Sequence, residues 1–226
     1  MITTAVANGV RTITLDRPDR RNALTWDGLD GLEAAVTEAT EPVIYLHGAG
    51  EAFCAGADLD TVRSLEADSA AEFAQRGQSV ATALESYDGA VVAGIDGAAR
   101  GGGVELALAC DLRIATPAAT FAESGVELGL FGAWGGTARL PRVVGEGVAL
   151  DISLSGRVLD ASEAYDHGLC SRIVDEPRQV ADSLADNDPN AMRRIKERIR
   201  ARESVATQHE REQEAFAALV DAFEAE

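Results

Sequence analysis

Residues 90–97, "AVVAGIDG", form an apolar run without polar alternation, and a strand of that kind has to be covered on both faces. The run stops at Gly97 and passes through "AARGGG" into an apolar helix over about residues 103–110, "GVELALAC". A buried strand that feeds a helix through glycines is an α/β element, and the chain repeats it. "VRTITLDRP" (10–18) reads as a strand ending before Pro18, and "PVIYLHG" (42–48) as a second. Between them "TWDGLDGLEAAVTEA" (25–39) has Trp26, Leu29, Leu32, Ala35 and Val36 at helical spacing, with Thr25 as N-cap. "AGEAFCAGADL" reads as a small-residue loop, and residues 60–88 are helical across "SAAEFAQRGQSVATALESY". "LRIATPAATFAES" is a strand and turn, "WGGTARLPRVVG" a glycine-rich entry to a short helix, and "GVALDISLSG" and "ASEAYDHGLCSRIVD" continue the alternation.

From Pro177 onward the pattern is helical and highly charged. The expected organisation is therefore an α/β core over residues 1–176 with a C-terminal helical section over 177–226. In that section Phe216, Leu219, Val220 and Phe223 share a helical face, which suits an oligomer contact or docking on the chain's own core equally well.

The formal net charge of −18 is spread along the 226 residues, so its mean field disfavours nucleic acid and anionic membranes as partners. Lys196 is the only lysine, a composition resembling that of proteins adapted to high salt. No apolar stretch is long enough to span a bilayer, and no signal-peptide core follows a basic start, so a cytoplasmic protein is expected. Cys54, Cys110 and Cys170 are widely spaced and odd in number, which suggests small buried residues rather than a disulfide framework or a CxxC metal site. His47, His167 and His209 are scattered, and neither a Ser-His-Asp arrangement nor metal ligation finds support.

A strand, glycines and a helix first suggest phosphate binding, yet "GAARGGG" has neither the G-K-[ST] of a P-loop nor a GxGxxG opening a dinucleotide fold. The same geometry also stabilises negative charge developing on a carbonyl oxygen, because the first N–H groups of a helix are unpaired and its dipole is positive there. Such an oxyanion hole needs two converging donors. Gly102 supplies one N–H, and the loop "CAGADL" offers the second at Ala57. Glu105 then lies in the first turn of that helix. Burial would raise its pKa and the helix start would lower it, leaving a proton-transfer group near neutral pH; the alternative is a solvated glutamate favoured by the dipole.

Five segments, "LDRPDRRNAL", "GAGEAFCAGADL", "GIDGAARGGGVELALACDLRIA", "ESGVELGLFGAWGGTARLPRVVG" and "LSGRVLDASEAYDHGLCSRIV", occur in an order and spacing similar to those of the crotonase family, the enoyl-CoA hydratase and isomerase superfamily. The resemblance covers roughly residues 10 to 175. It implies a spiral of ββα units followed by C-terminal helices, assembled as a trimer or a hexamer of paired trimers. It also implies an acyl-CoA thioester as substrate, with no separate cofactor because coenzyme A enters as part of that substrate. Ala57 and Gly102 match the family's oxyanion donors, so this reading coincides with the physical one. Arg20, Arg21 and Ala23 on one segment, and Ala55, Gly56, Asp58 and Leu59 on another, would border the substrate together with Gly101. For the two arginines a solvated surface role is the alternative, and for Trp134 a core or interface position is the alternative to lining the acyl pocket. Asp58 and Asp111 also suit structural hydrogen bonds at loop and helix ends. The chain ends at "VDAFEAE", earlier than is common in the family, without the last helix that often closes over CoA.

Hydratases of the family use two glutamates. Glu105 matches the first, but the motif F-G-x-P-E-x-x-L-G reads "FAESGVELG" here, placing Gly125 at the second. Glu123, two residues earlier, is a replacement that an extended backbone would face the opposite way. Glu127, two residues later, matches a solvent-facing position, and Glu105 acting alone is the remaining arrangement. Ala133 stands where the dehalogenase-type or dienoyl-isomerase aspartate would fall. The expected function is an enzyme working through a thioester enolate, nominally an enoyl-CoA hydratase with Glu105 as acid or base. The alternatives are an isomerase or other enolate chemistry, or a catalytically weak acyl-CoA-binding homologue.

Overall fold

The computed structural model describes residues 1–223. Asn8 and Gly9, with φ of 52° and 72°, reverse the chain between β1 (Ile2–Ala7) and β2 (Val10–Leu15), which pair antiparallel. Asn-Gly is the pair that adopts two positive φ values most readily. It is the signal for β1, a strand absent from the expected set. α1 (Trp26–Thr37) starts where predicted, with the Gly28 N–H donating to Thr25 Oγ1 at 3.3 Å.

Three repeats then follow. β3 (Val43–Gly48) and β4 (Ala52–Cys54) lead to α2 (Leu59–Arg63) and α3 (Ala67–Ser86). β5 (Ala90–Ile95) and β6 (Ala98–Arg100) lead to α4 (Gly102–Ala109). β7 (Leu112–Ala115) and β8 (Thr120–Ala122) lead through a 3₁₀ turn (Ser124–Leu128) to α5 (Gly136–Val144) and α6 (Glu146–Ser155). β9 (Leu159–Asp160), α7 (Ala161–Asp166) and β10 (Arg172–Ile173) close the core, and α8 (Arg178–Ala185), α9 (Pro189–Arg200) and α10 (Val205–Phe223) complete the described chain.

In each repeat the first strand joins a six-stranded sheet ordered β1-β2-β3-β5-β7-β10, and the second joins a four-stranded sheet ordered β4-β6-β8-β9. From β2 to β10 the larger sheet is parallel, as are β4, β6 and β8. The chain thus winds as the expected spiral of ββα units. Side chains of its central strands divide with period two. Ile44, Leu46, Val91, Ala93 and Ile95 join the core that includes residues of α1, α3 and α4, while Val43, Tyr45, Val92 and Ile114 pack with Val180 and Ala181 of α8. Both faces of the apolar strands are covered, as their composition requires.

Two local expectations differ from the structure, and one choice left open is decided by it. "AGEAFCAGADL" contains β4, a three-residue strand held by parallel pairing with β6 rather than by any pattern of its own. "GVALDISLSG" is helical through α6, and the strand that follows, β9, is two residues long. In the C-terminal stripe Phe216 is 69% exposed, so that face is not docked on the chain's own core; the side chain of Phe223 and residues 224–226 lie outside the described residues. Lys196 anchors α9 by donating to the carbonyls of Tyr87 and Gly89 and pairing with Asp111 at 2.9 Å. Asp111 also pairs with Arg200 and accepts from the Val91 N–H, a structural role as expected.

All three cysteines are buried and free, and burial pushes the Cys54 and Cys110 thiols up to about 12. A thiol reagent at neutral pH should therefore leave the native protein essentially unlabelled and label all three after unfolding. Fast labelling of the native state, followed by absorbance, is the contrary outcome.

Candidate active site

The loop after β4 and the start of α4 come together because β4 and β6 are parallel neighbours, which leaves their following segments side by side. Gly56 (φ 82°) makes the approach possible: a Cβ there would lie 2.7 Å from the Arg100 carbonyl oxygen and 2.8 Å from Gly102 N. Gly101 has φ 45° and ψ −117°, a conformation that only glycine adopts without strain, and it directs the chain into α4. Ala57 N and Gly102 N are thereby neighbours, and neither donates to an acceptor among the described residues. Two unpaired backbone donors, one at a helix start, are what a developing oxyanion needs.

The loop is held from behind. Leu24 and Ala57 form a bridge, flanked by Leu24 N–H to the Gly56 carbonyl (2.8 Å) and Asp58 N–H to the Leu24 carbonyl (2.9 Å). Asn22 is buried with φ 58° and donates to the carbonyls of Ala49 and Ala52, while its own oxygen accepts from the Arg17 N–H. Cys54 Sγ donates to the Asn22 carbonyl and accepts from the Gly56 N–H. Asn22 and Arg17 lie in "LDRPDRRNAL", where their signal, a polar residue and a cation just after a strand, carries no chemistry by itself.

Arg20, Arg21, Ala23, Ala55, Gly56, Ala57, Asp58 and Leu59 form one strip, in which Arg20, Arg21 and Leu59 are exposed. Arg20 pairs with Asp60 at 3.2 Å. Asp58 makes the structural hydrogen bonds expected of it at the start of α2. Its carboxylate accepts from the Asp60 and Thr61 N–H groups at the start of α2 and pairs with Arg17 at 2.7 Å, and these donors hold its pKa down.

Glu105 is 1% exposed, which decides between the two positions open to it. Its carboxylate accepts from the Trp134 N–H at 3.0 and 3.1 Å and from the Gly136 N–H at 2.5 Å. Burial raises its pKa; the Gly136 and Trp134 donors and the Arg139 charge act in the opposite direction. A Cβ on Gly132 or Gly136 would fall 2.7 Å from this carboxyl group, so only glycines leave it room.

Glu123 is also buried, and the reading that it faces away is corrected by the backbone. The strand ends at Ala122, and Glu123 (φ −93°, ψ 65°) has already left the extended state, so alternation no longer applies. Among the described residues its Oε1 has no hydrogen-bond partner. Burial and the nearby Glu105 charge push its pKa up to about 8. It lines a narrow cavity of about 40 Å³ with Val126, Phe131, Gly132, Gly136 and Leu140, and two of these glycines also touch Glu105. Gly125 is packed in the 3₁₀ turn, where a Cβ would come within 3.2 Å of the Leu130 oxygen and Phe131 Cα, and Glu127 is exposed.

The histidines take no part: His47 bonds Thr14 and stacks on Tyr45, and burial lowers its pKa. Among the described residues no group of three or more His, Cys, Asp or Glu side chains is arranged to hold a metal ion, and no helix is long and apolar enough to cross a membrane.

A ββα spiral with backbone donors beside a buried carboxylate defines the chain as a crotonase-fold protein. The family model described as enoyl-CoA hydratase/isomerase matches residues 5–225, and the chain belongs to that family. It is 38% identical over 171 residues to a crotonyl-CoA hydratase of Syntrophomonas wolfei, a match that covers 74% of this chain and 65% of that relative. A short-chain-enoyl-CoA hydratase of Clostridium acetobutylicum is 33% identical over 201 residues, covering 84% and 77% respectively. The crystal structure of an enoyl-CoA hydratase from Bacillus anthracis superposes with a TM-score of 0.92 at 32% identity, covering 97% of this chain and 91% of that one.

Replacing Asn22 with alanine removes the clasp and leaves buried carbonyls unpaired. Urea unfolding should show a loss of about 1–3 kcal/mol; an unchanged midpoint would leave the loop supported by other contacts.

Proposed function

We propose that this protein is an enoyl-CoA hydratase that adds water across a trans-2-enoyl thioester, with Ala57 and Gly102 as oxyanion donors, Glu105 as base and Glu123 as acid. The observation that carries this reading is a pair of buried carboxylates with unequal surroundings: burial raises the pKa of Glu105 while the Gly136 and Trp134 N–H groups favour its ionised form, whereas Glu123 has no such donors and is pushed up to about 8. Two carboxylates divided in this way supply one base and one acid at neutral pH.

In this reading the thioester oxygen accepts from both N–H groups. Glu105 takes a proton from water as the water oxygen bonds to C3, and the C2–C3 π electrons move onto the carbonyl oxygen as an enolate. The enolate then collapses as C2 takes the Glu123 proton. Glu105 leaves the cycle protonated and Glu123 ionised, and one proton exchange restores both. Coenzyme A enters with the substrate and no separate cofactor takes part. In this reading the exposed Arg20 and Arg21 meet its phosphates and supply local positive charge in a chain of net charge −18, a role supported by their exposure. The strongly acidic composition suits a cytoplasm of high salt, where screening relieves self-repulsion.

Purified protein assayed in high salt with trans-2-enoyl-CoAs should show turnover, and Glu105→Gln or Glu123→Gln should each lower kcat by about 10²- to 10⁴-fold. Since the acid must carry its proton, kcat/KM should fall as pH rises through about 8, and Glu123→Gln should abolish that limb. Acyl-CoA binding without turnover by the wild type would favour the weakly catalytic homologue that Gly125 suggests. Turnover of Glu123→Gln equal to wild type would leave Glu105 acting alone.

We also propose a homo-oligomer built on trimers. Support comes from exposed apolar side chains in and just after the 3₁₀ segment, Leu128, Leu130 and Phe131, and in α6, which that segment contacts, Leu150 and Leu154, with Phe131 at 73% and Leu154 at 71% exposure. Light scattering should give a mass of three or six chains, and Leu154→Asp should reduce it; a monomer in both cases would refute the assembly.

A further inference from the structure

The donors that hold the Glu105 carboxylate are backbone N–H groups, those of Trp134 and Gly136, on the segment that leads into α5. The Trp134 ring is buried against Phe73, Gly77 and Gly102, the core position of those open to it, so what this residue offers Glu105 is its main chain.

That main chain is itself held by a cation. Arg139 of α5 donates from Nη1 to the Trp134 carbonyl at 3.3 Å, and a Cβ on Gly135 would overlap the same nitrogen, so a glycine is what lets the guanidinium lie against the segment. Its Nε and Nη2 both donate to Glu85 Oε2 of α3, at 3.1 and 2.6 Å. One planar fork thus joins the segment to α3, which the single ammonium of a lysine could not copy. Gln78, also of α3, makes a second tie by donating to the Ala133 carbonyl at 2.9 Å. The Arg139 side chain is 12% exposed, so solvent screens this ion pair little.

The contacts continue to α9. Glu85 Oε1 pairs with Arg200 at 3.0 Å, and Arg200 pairs with Asp111 at 2.7 Å and donates to the carbonyl of Ala109, the last residue of α4, at 3.2 Å. Because α4 carries Glu105, the helix and the segment that meet at this carboxylate are fastened to one acidic side chain on α3.

We propose that Arg139 is a positioning residue for Glu105: anchored on Glu85, it clamps residues 133–136 so that their N–H groups stay aimed at the carboxylate, and its charge favours the ionised base. It touches no reacting atom, and its role rests on the reading of Glu105 given above. The charged groups that act on Glu105 are this guanidinium, which favours the ionised form, and Glu123 at the end of β8, which once ionised opposes it.

The test compares wild type, Arg139→Gln, Arg139→Lys and Glu85→Gln, each checked for its fold by circular dichroism. With crotonyl-CoA, Arg139→Gln should lower kcat by about 10- to 10²-fold and change KM little. The acidic limb of its kcat/KM profile should move to higher pH, because Glu105 without the cation keeps its proton longer. Arg139→Lys should return that limb toward wild type but recover only part of kcat, since it restores the charge and not the fork. Glu85→Gln leaves Arg139 in place without its anchor and should also lower kcat; it decides the matter where Arg139→Gln does not fold, and a wild-type kcat there would overturn the proposal. Infrared difference spectra against Glu105→Gln follow the protonated carboxyl band of Glu105 with no substrate present. If that band persists to higher pH in Arg139→Gln while wild type hydrates no enoyl-CoA, the hydratase reading falls and this inference stands. A folded Arg139→Gln with an unchanged acidic limb and an unchanged carboxyl titration would overturn it, leaving Arg139 a role in stability alone.

Discussion

The close passage of the β4–α2 loop over the start of α4 is the contact on which the site depends. Gly56 comes so near Gly102 N that no side chain fits between them, and that nearness brings together two backbone segments 46 residues apart in sequence. Parallel pairing of β4 with β6 sets the approach, and α4 then adds its positive end to the same point. Asn22, Cys54 and the Arg17–Asp58 pair hold the loop from the side away from the opening. Their hydrogen bonds fix the direction of donors that a substrate carbonyl can use without reorganising them.

Around this contact the structure separates two chemically identical side chains. Glu105 and Glu123 are both buried, so the loss of water raises both pKa values. Glu105 recovers part of that loss through the Trp134 and Gly136 N–H groups, which favour its ionised form. Glu123 Oε1 has no such partner, and a charge on Glu105 further disfavours a second one nearby. Hydrogen bonding, rather than residue type, sets the two environments apart.

Much of this was legible residue by residue. The unalternating strand at 90–97 required two covered faces, which it has, and the glycines before α4 marked a helix start open to a ligand. Glu105 among Val104, Leu106 and Leu108 was readable as a carboxylate with a special environment. The short strands β4, β6 and β8 were not fully legible, since three residues carry too little periodicity and their pairing partners lie far along the chain. The direction of Glu123 is hidden in the sequence for a related reason. Alternation presumes that the strand continues, and it stops one residue earlier.

The sequence by itself determined the α/β class, the placing of Ala57, Gly102 and Glu105, and the family, because these rest on local periodicity, helix-start chemistry and motifs in a fixed order. Only the tertiary structure decided that Glu123 lines a cavity with Gly132 and Gly136, the glycines that pack on Glu105, that Asp58 caps α2, and that the Trp134 ring fills the space between Gly77 and Gly102. Each of these depends on the distance or direction between parts of the chain that meet only on folding, and side-chain spacing within a segment contains no information about that distance.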